Sequence, residues 1–153
     1  MKNISSIILL ILSITFTGTA FAQEGKIVAK PANNALLAPA HQIIFQLTTA
    51  DTMAHKALMK QIGNITKVAP GTKIEVVCHG PGLDMLVADK SIVADKITKF
   101  AKSGIVFNAC EFSMKERNVE KTRMLTDIGY VEAGIIAIVT RQEQGWSYIK
   151  AGF

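Results

Sequence analysis

Two cysteines are the residues best able to do chemistry in this chain, and each closes a short apolar run. Cys110 ends Ile105-Val106-Phe107-Asn108-Ala109-Cys110 and is followed by residues of helical composition. A thiol between a strand end and a helix start meets free backbone N–H groups and the positive end of a helix dipole, which favour thiolate over thiol. Lys115 and Arg117 lie within two turns and add to that field, whereas Glu111 opposes it. The thiolate is the nucleophile, so Cys110 is a candidate for sulfur transfer or thiol exchange. The plain alternative is a small buried hydrophobe, the common fate of an unpaired Cys.

Cys78 ends Lys73-Ile74-Glu75-Val76-Val77-Cys78, 32 positions before Cys110. If the two strands are neighbours, the pair can reach the Cα separation that a disulfide requires. Such a bridge would contribute about 3–4 kcal/mol in the chain-entropy model. It competes directly with a free, reactive Cys110. His79 follows and has three readings: it can orient or protonate a bound group, ligate a metal, or simply end the strand. The chain has three His (His41, His55, His79), and none pairs with a Cys at metal-ligand spacing, so no metal is expected. Gly80-Pro81-Gly82 permits close backbone approach but lacks the Lys-Ser/Thr of a phosphate loop. No Gly-x-Ser-x-Gly elbow is present, and Asp84, Asp89 and Asp95 are dispersed rather than paired. No cofactor is expected. Trp146 and Tyr148 have strand spacing and read as core or subunit contact.

The elements that must position these residues alternate between strand and helix. His41 to Thr48 mixes β-branched and aromatic residues over a strand's length. Asp51 can cap a helix that carries Ala54, Ala57, Leu58, Ile62 and Ile65 at helical spacing. Pro70-Gly71 punctuates before the Lys73–Cys78 strand. Asp89 or Ser91 starts a second helix, with Ile92, Val93, Ile97, Phe100 and Ala101 on one face and Gly104 as the residue just past its end. Ile105–Cys110 is compact and apolar, like a buried parallel strand. Ser113 to Leu125 is helical in composition, with a break suggested at Asn118, a residue type that tolerates left-handed backbone. Tyr130-Val131 reads as a brief strand, Ala133 to Val139 fits strand or helix, and Trp146 to Lys150 is a final strand. No hairpin signal joins consecutive strands. The order predicts an α/β fold, a mostly parallel sheet with helices on both faces. In such folds sites gather at the carboxyl ends of strands, which selects Cys78-His79-Gly80 and Asn108-Ala109-Cys110.

The N-terminus has a different character. Met1-Lys2-Asn3 is a short basic start, Ile7 to Phe16 is an apolar run broken by Ser13 and Thr15, and Ala20-Phe21-Ala22 has the small-x-small form of a cleavage site. This is a secretory signal layout, with removal expected after Ala22. An uncleaved anchor is the alternative, but the run is about half the roughly 20 residues a helical span needs. No membrane anchor is expected after cleavage, and no Cys lies nearby to take a lipid. Residues 23–39 lack periodicity and read as a mobile leader, and 40–153 as one domain. Removing 22 of 153 residues leaves 131, and it takes away much of the apolar excess behind a mean hydropathy of +0.29. The expected location is periplasmic or secreted, where disulfides persist. The net charge of +5 is mild and interspersed, so no nucleic-acid partner is expected.

Three ordered segments carry a family resemblance: Val76-Val77-Cys78-His79-Gly80-Pro81-Gly82-Leu83, Gly104 to Cys110, and Ser113 to Val119. With the ending Gln142 to Ile149 they resemble the DsrE/DsrF-like family, which includes sulfur-relay proteins. The resemblance spans roughly His41 to Lys150. It implies a three-layer α/β/α sandwich with a parallel five-stranded sheet, and it makes Ala133 to Val139 helix. It also implies a homo-oligomer or hetero-oligomer, with a sulfur donor or acceptor protein as partner. In the sulfur-relay members a Cys after the third strand accepts sulfur as a persulfide, and Cys110 matches that position. His79, Asn108 and Cys78 are the residues expected around it. Asn118 stands where relatives often have Gly. Cys78 and the export signal depart from the cytoplasmic relays, so those relays' partners do not carry over. Two other functions stay open: a non-enzymatic oligomeric binding module, and a thiol-redox protein using Cys78 and Cys110 as a pair.

Overall fold

A computed structural model describes residues 40–152; the expected signal peptide and leader lie outside the described residues. The elements are β1 (Gln42–Leu47), α1 (Thr52–Val68), β2 (Lys73–Cys78), α2 (Ala94–Lys102), β3 (Val106–Cys110), α3 (Glu111–Glu116), β4 (Gly129–Val131), α4 (Gly134–Glu143) and β5 (Ser147–Ala151). Short 3-10 turns occupy Gly80–Met85 and Lys121–Arg123. The five strands form one sheet in the order β4-β3-β2-β1-β5, and every neighbouring pair is parallel.

Local chemistry explains most of the element boundaries. The Asp51 carboxylate accepts from the Met53 N–H at 2.8 Å and caps α1, which buries Ala54, Leu58, Met59 and Ile62 along one stripe. The turn after it needs Gly71 at φ +88°, and the turn after α2 needs Gly104 at φ +92°. Neither Asp89 nor Ser91 caps α2. Asp89 instead forms an ion pair with Arg123 at 2.7 Å, Val93 occupies the cap position, and Ile92 is exposed rather than on the buried face. The segment Ser113 to Leu125 is broken near Asn118, as its residue type suggested. α3 ends at Glu116 because Asn118 adopts φ +51°, and only a 3-10 turn follows. Ala133 to Val139 is helical, as the first part of α4.

The two faces of the sheet are covered unequally. Phe45, Leu47, Val76, Cys78, Phe107 and Ala109 point into the larger core with Leu58, Met59 and Ile62 of α1, Ile97 of α2 and Met114 of α3. Burial of each large apolar side chain there contributes about 1.5–3 kcal/mol. The opposite face has a smaller cluster, Ile44 and Val77 against Ile138 of α4, flanked by Val131 and Trp146. The chain therefore forms an α/β/α sandwich whose second helical layer is α4. Among the described residues, no helix is long and apolar enough to cross a membrane.

Candidate functional site

Strand register decides which candidate residues can meet. Cys78 stands opposite Ala109, and Val77 opposite Asn108. Side chains alternate across a sheet, so Cys78 and Ala109 share the larger core, while Val77, Asn108 and Cys110 share the α4 face. The two thiols are free and lie on opposite faces, although their strands are neighbours. The expected condition for a bridge, adjacent strands, is met; the pleat removes it. Cys78 is fully buried, and that burial pushes its thiol well above the ordinary range. It is a core residue, not part of a pocket with Cys110.

Cys110 has a specific environment. It is the cap residue of α3, yet its side chain makes no bond to that helix. Its Sγ accepts from the backbone N–H of Gly134 at 3.2 Å, and its S–H faces the Glu132 carbonyl at 3.8 Å. Gly134 is the first residue of the ten-residue α4. The helix dipole at the sulfur is therefore that of α4, whose first-turn N–H groups have no partner within the helix. Cys110 also directly precedes α3, as its place between a strand and a helix predicts, so the N-terminal ends of both helices lie at this residue. Only a glycine fits this contact comfortably. A Cβ on Gly134 would stand 3.2 Å from Val77 Cγ1 and 3.3 Å from the Cβ atoms of both Cys110 and His79. Cys110 is 4% exposed, so its sulfur sits just below the surface.

The same contact places His79 beside Cys110. β2 ends at Cys78, the His79 N–H donates to the Leu47 carbonyl at 3.1 Å, and the imidazole lies on the α4 face. Its Nε2 is 2.7 Å from the side-chain amide nitrogen of Gln46, and the Gln46 Oε1 accepts from the Tyr148 hydroxyl. Partial burial lowers the imidazole pKa from its ordinary value and favours the neutral ring. Ser113 Oγ accepts from the Gly80 N–H at 2.9 Å and ties the turn after His79 to α3.

Asn108 is on the same face but is committed elsewhere. Its Nδ2 donates to Glu75 Oε1 at 2.7 Å, and Arg141 Nε donates to Glu75 Oε2 at 2.6 Å. Arg141 also lies over the Trp146 ring, 4.9 Å from its centre. Gly129 makes room for Asn108, since a Cβ there would collide with Asn108 Oδ1. This network floors a cavity of about 760 Å³ lined by Glu75, Asn108, Phe112, Tyr130, Ile136 and Arg141. The structure thus brings Cys110 and His79 together, sets Asn108 one pleat away, and excludes Cys78. Among the described residues, no group of three or more His, Cys, Asp and Glu is placed to hold a metal ion.

The DsrE/DsrF-like family matches this sequence over residues 28–151. The chain belongs to that family. No curated protein matches it. Among solved structures, it is similar to MTH1491 of Methanobacterium thermoautotrophicum, a protein of unknown function. The TM-score is 0.69 and the identity 24%, covering 72% of this chain and 98% of that one. It is also similar to BT1422 of Bacteroides thetaiotaomicron, a conserved protein of unknown function. There the TM-score is 0.61 and the identity 17%, over 74% of this chain and 98% of the other. At these identities the two structures establish a shared fold. In this DsrE/DsrF-like chain, Gln46, Glu75, Glu132, Gly134, Arg141 and Tyr148 surround the candidate site without having been singled out for it from the sequence. Glu75 had a signal, a carboxylate set among Ile74, Val76 and Val77.

Proposed function

We propose that this chain is a sulfur carrier in which Cys110 holds sulfane sulfur as a persulfide. Membership in the DsrE/DsrF-like family supports sulfur-relay chemistry in general. The observation that carries the finer reading is the Gly134 N–H at 3.2 Å from Cys110 Sγ, at the start of α4. That donor and the N-terminal end of α4 point at the sulfur, where they can hydrogen-bond and offset negative charge that develops during sulfur exchange. In the loading step, Cys110 thiolate attacks the outer sulfur of a polysulfide. An Sγ–S bond forms, the donor's S–S bond breaks, and the shortened polysulfide leaves with the electron pair. Unloading is the same exchange onto an acceptor thiol. We place the mature chain outside the cytoplasm, as a homo-oligomer that exchanges sulfur with a donor or acceptor protein.

The redox-pair alternative lacks support in the geometry, because a Cys78–Cys110 bridge would have to pass through the sheet. The test is cyanolysis after incubation with inorganic polysulfide and desalting. The expected yield is about one thiocyanate per chain for wild type and for Cys78→Ala, and none for Cys110→Ser. Equal release from wild type and Cys110→Ser would overturn the reading.

A further inference from the structure

The side chains of Tyr148, Gln46 and His79 form a hydrogen-bonded chain across three strands, and it ends on the face that carries Cys110. Its members come from three elements: β5, β1 and the end of β2. Tyr148 and Gln46 lie on the α4 face of the sheet, where Ile44 pairs with Tyr148 and Gln46 with Lys150. The polarity of the chain follows from the donors. A phenol hydroxyl donates more readily than it accepts, and an amide oxygen is the better acceptor in the amide group. In the structure Gln46 Oε1 faces the Tyr148 hydroxyl and the Gln46 NH₂ faces His79. An NH₂ group can only donate, so His79 Nε2 must accept, and the ring proton resides on Nδ1. In water an unconstrained imidazole prefers the opposite tautomer, with its proton on Nε2.

We propose that Gln46 and Tyr148 are positioning residues that hold His79 in its Nδ1–H form, so that this N–H serves as a hydrogen-bond donor to the outer sulfur of a Cys110 persulfide. This rests on the sulfur-carrier reading. A persulfide anion carries its charge on the outer sulfur, one bond beyond the atom that Gly134 serves. A second donor is needed for it. His79 presents its side chain on the same face, its Cβ and that of Cys110 each 3.3 Å from the point a Cβ on Gly134 would occupy. A neutral Nδ1–H donor stabilises the anion without protonating it, and the lowered pKa of His79 keeps the ring neutral near pH 7. The reversed tautomer would turn a lone pair toward the sulfur and repel it.

Nitrogen-15 NMR of unloaded protein reports the tautomer directly. Wild type is expected to show His79 as the Nδ1–H form. Gln46→Glu keeps the size but offers only acceptors, so in the neutral ring the proton moves to Nε2 and the Nδ1 donor is lost; because an imidazolium would keep that donor, the persulfide half-life is compared at a pH where the nitrogen-15 shifts show a neutral ring. Tyr148→Phe releases the amide and gives a mixture. Tyr148 is an exposed position, so this second variant keeps its fold even if Gln46→Glu does not. Polysulfide-loaded protein supplies the functional readout, the persulfide's half-life against a fixed concentration of small thiol. Loss of one donor to a charged sulfur is expected to shorten it about tenfold in Gln46→Glu and less in Tyr148→Phe. Wild-type His79 in the Nε2–H form overturns the inference, and so does an unchanged half-life in both variants. In that second case wild type still loads sulfur, and the sulfur-carrier reading survives. Failure of wild type to load at all, with the Nδ1–H tautomer present, overturns the carrier reading and with it the role given to His79.

Discussion

Cys78 and Cys110 end adjacent parallel strands, yet they face different layers and meet different surroundings. Cys78 points into the core built by α1, α2 and α3 and has a thiol that burial keeps protonated. Cys110 points to the face covered by α4, receives a backbone N–H at 3.2 Å and borders a histidine. The difference comes from one step along a pleat. The layer a thiol faces, rather than its place at a strand end, sets its surroundings here.

The largest expected contrast is kinetic. In the native protein, iodoacetamide should modify Cys110 more than about 10³-fold faster than Cys78, which reacts only through openings that cost several kcal/mol. Peptide mass mapping over time checks this, and comparable rates would erase the distinction between the faces. Next in size is the buried charge of the α4 face. Arg141→Leu leaves Glu75 with only Asn108 as partner, and should cost about 2–3 kcal/mol in urea unfolding, the part-exposed Arg141 moderating the loss. A cost near zero would mean that the network under α4 does not hold that layer.

Serine substitutions sharpen the comparison further. Cys78→Ser buries a hydroxyl among apolar groups and should destabilise by about 1–2 kcal/mol, whereas Cys110→Ser keeps the Gly134 donor and should cost less than about 1 kcal/mol. Equal costs would show that the two environments are not different in polarity. Gly134→Ala should cost about 1 kcal/mol and slow Cys110 alkylation two- to threefold, because its methyl forces α4 away from Cys110. The smallest effect is acid sensitivity. His79 has a lowered pKa in the folded state, so the unfolded chain binds its proton first as pH falls below about 6.5. Stability present at neutral pH should decline slightly through that window down to the folded pKa. His79→Gln should show a flatter profile over the same range, and identical profiles would contradict the shift.

Much of the fold was legible because its signals are local. The strands Lys73–Cys78 and Ile105–Cys110, the Asp51 cap and the turns at Gly71, Gly104 and Asn118 all follow from short windows of residue type. The identity of Cys110 as the candidate was legible for the same reason. What was not legible depends on distance in the chain. The donor to Cys110 is 24 residues downstream, the partner of Glu75 is 66 away, and Tyr148 is 102 from Gln46. The boundary errors have simple causes as well. Helix α3 begins at Glu111 directly after the strand, two residues before Ser113, and Asp89 was drawn from a cap position into a pair with Arg123.

The claim that one thiol carries sulfur while the other builds the core is tested most directly by peptide-mapped mass spectrometry of native wild-type protein after brief exposure to inorganic polysulfide. The expected result is a gain of about 32 Da on the Cys110 peptide alone, reversed by a small thiol, with the Cys78 peptide unchanged. An unmodified Cys110 with its thiol shown to be free, or modification centred on Cys78, would contradict it.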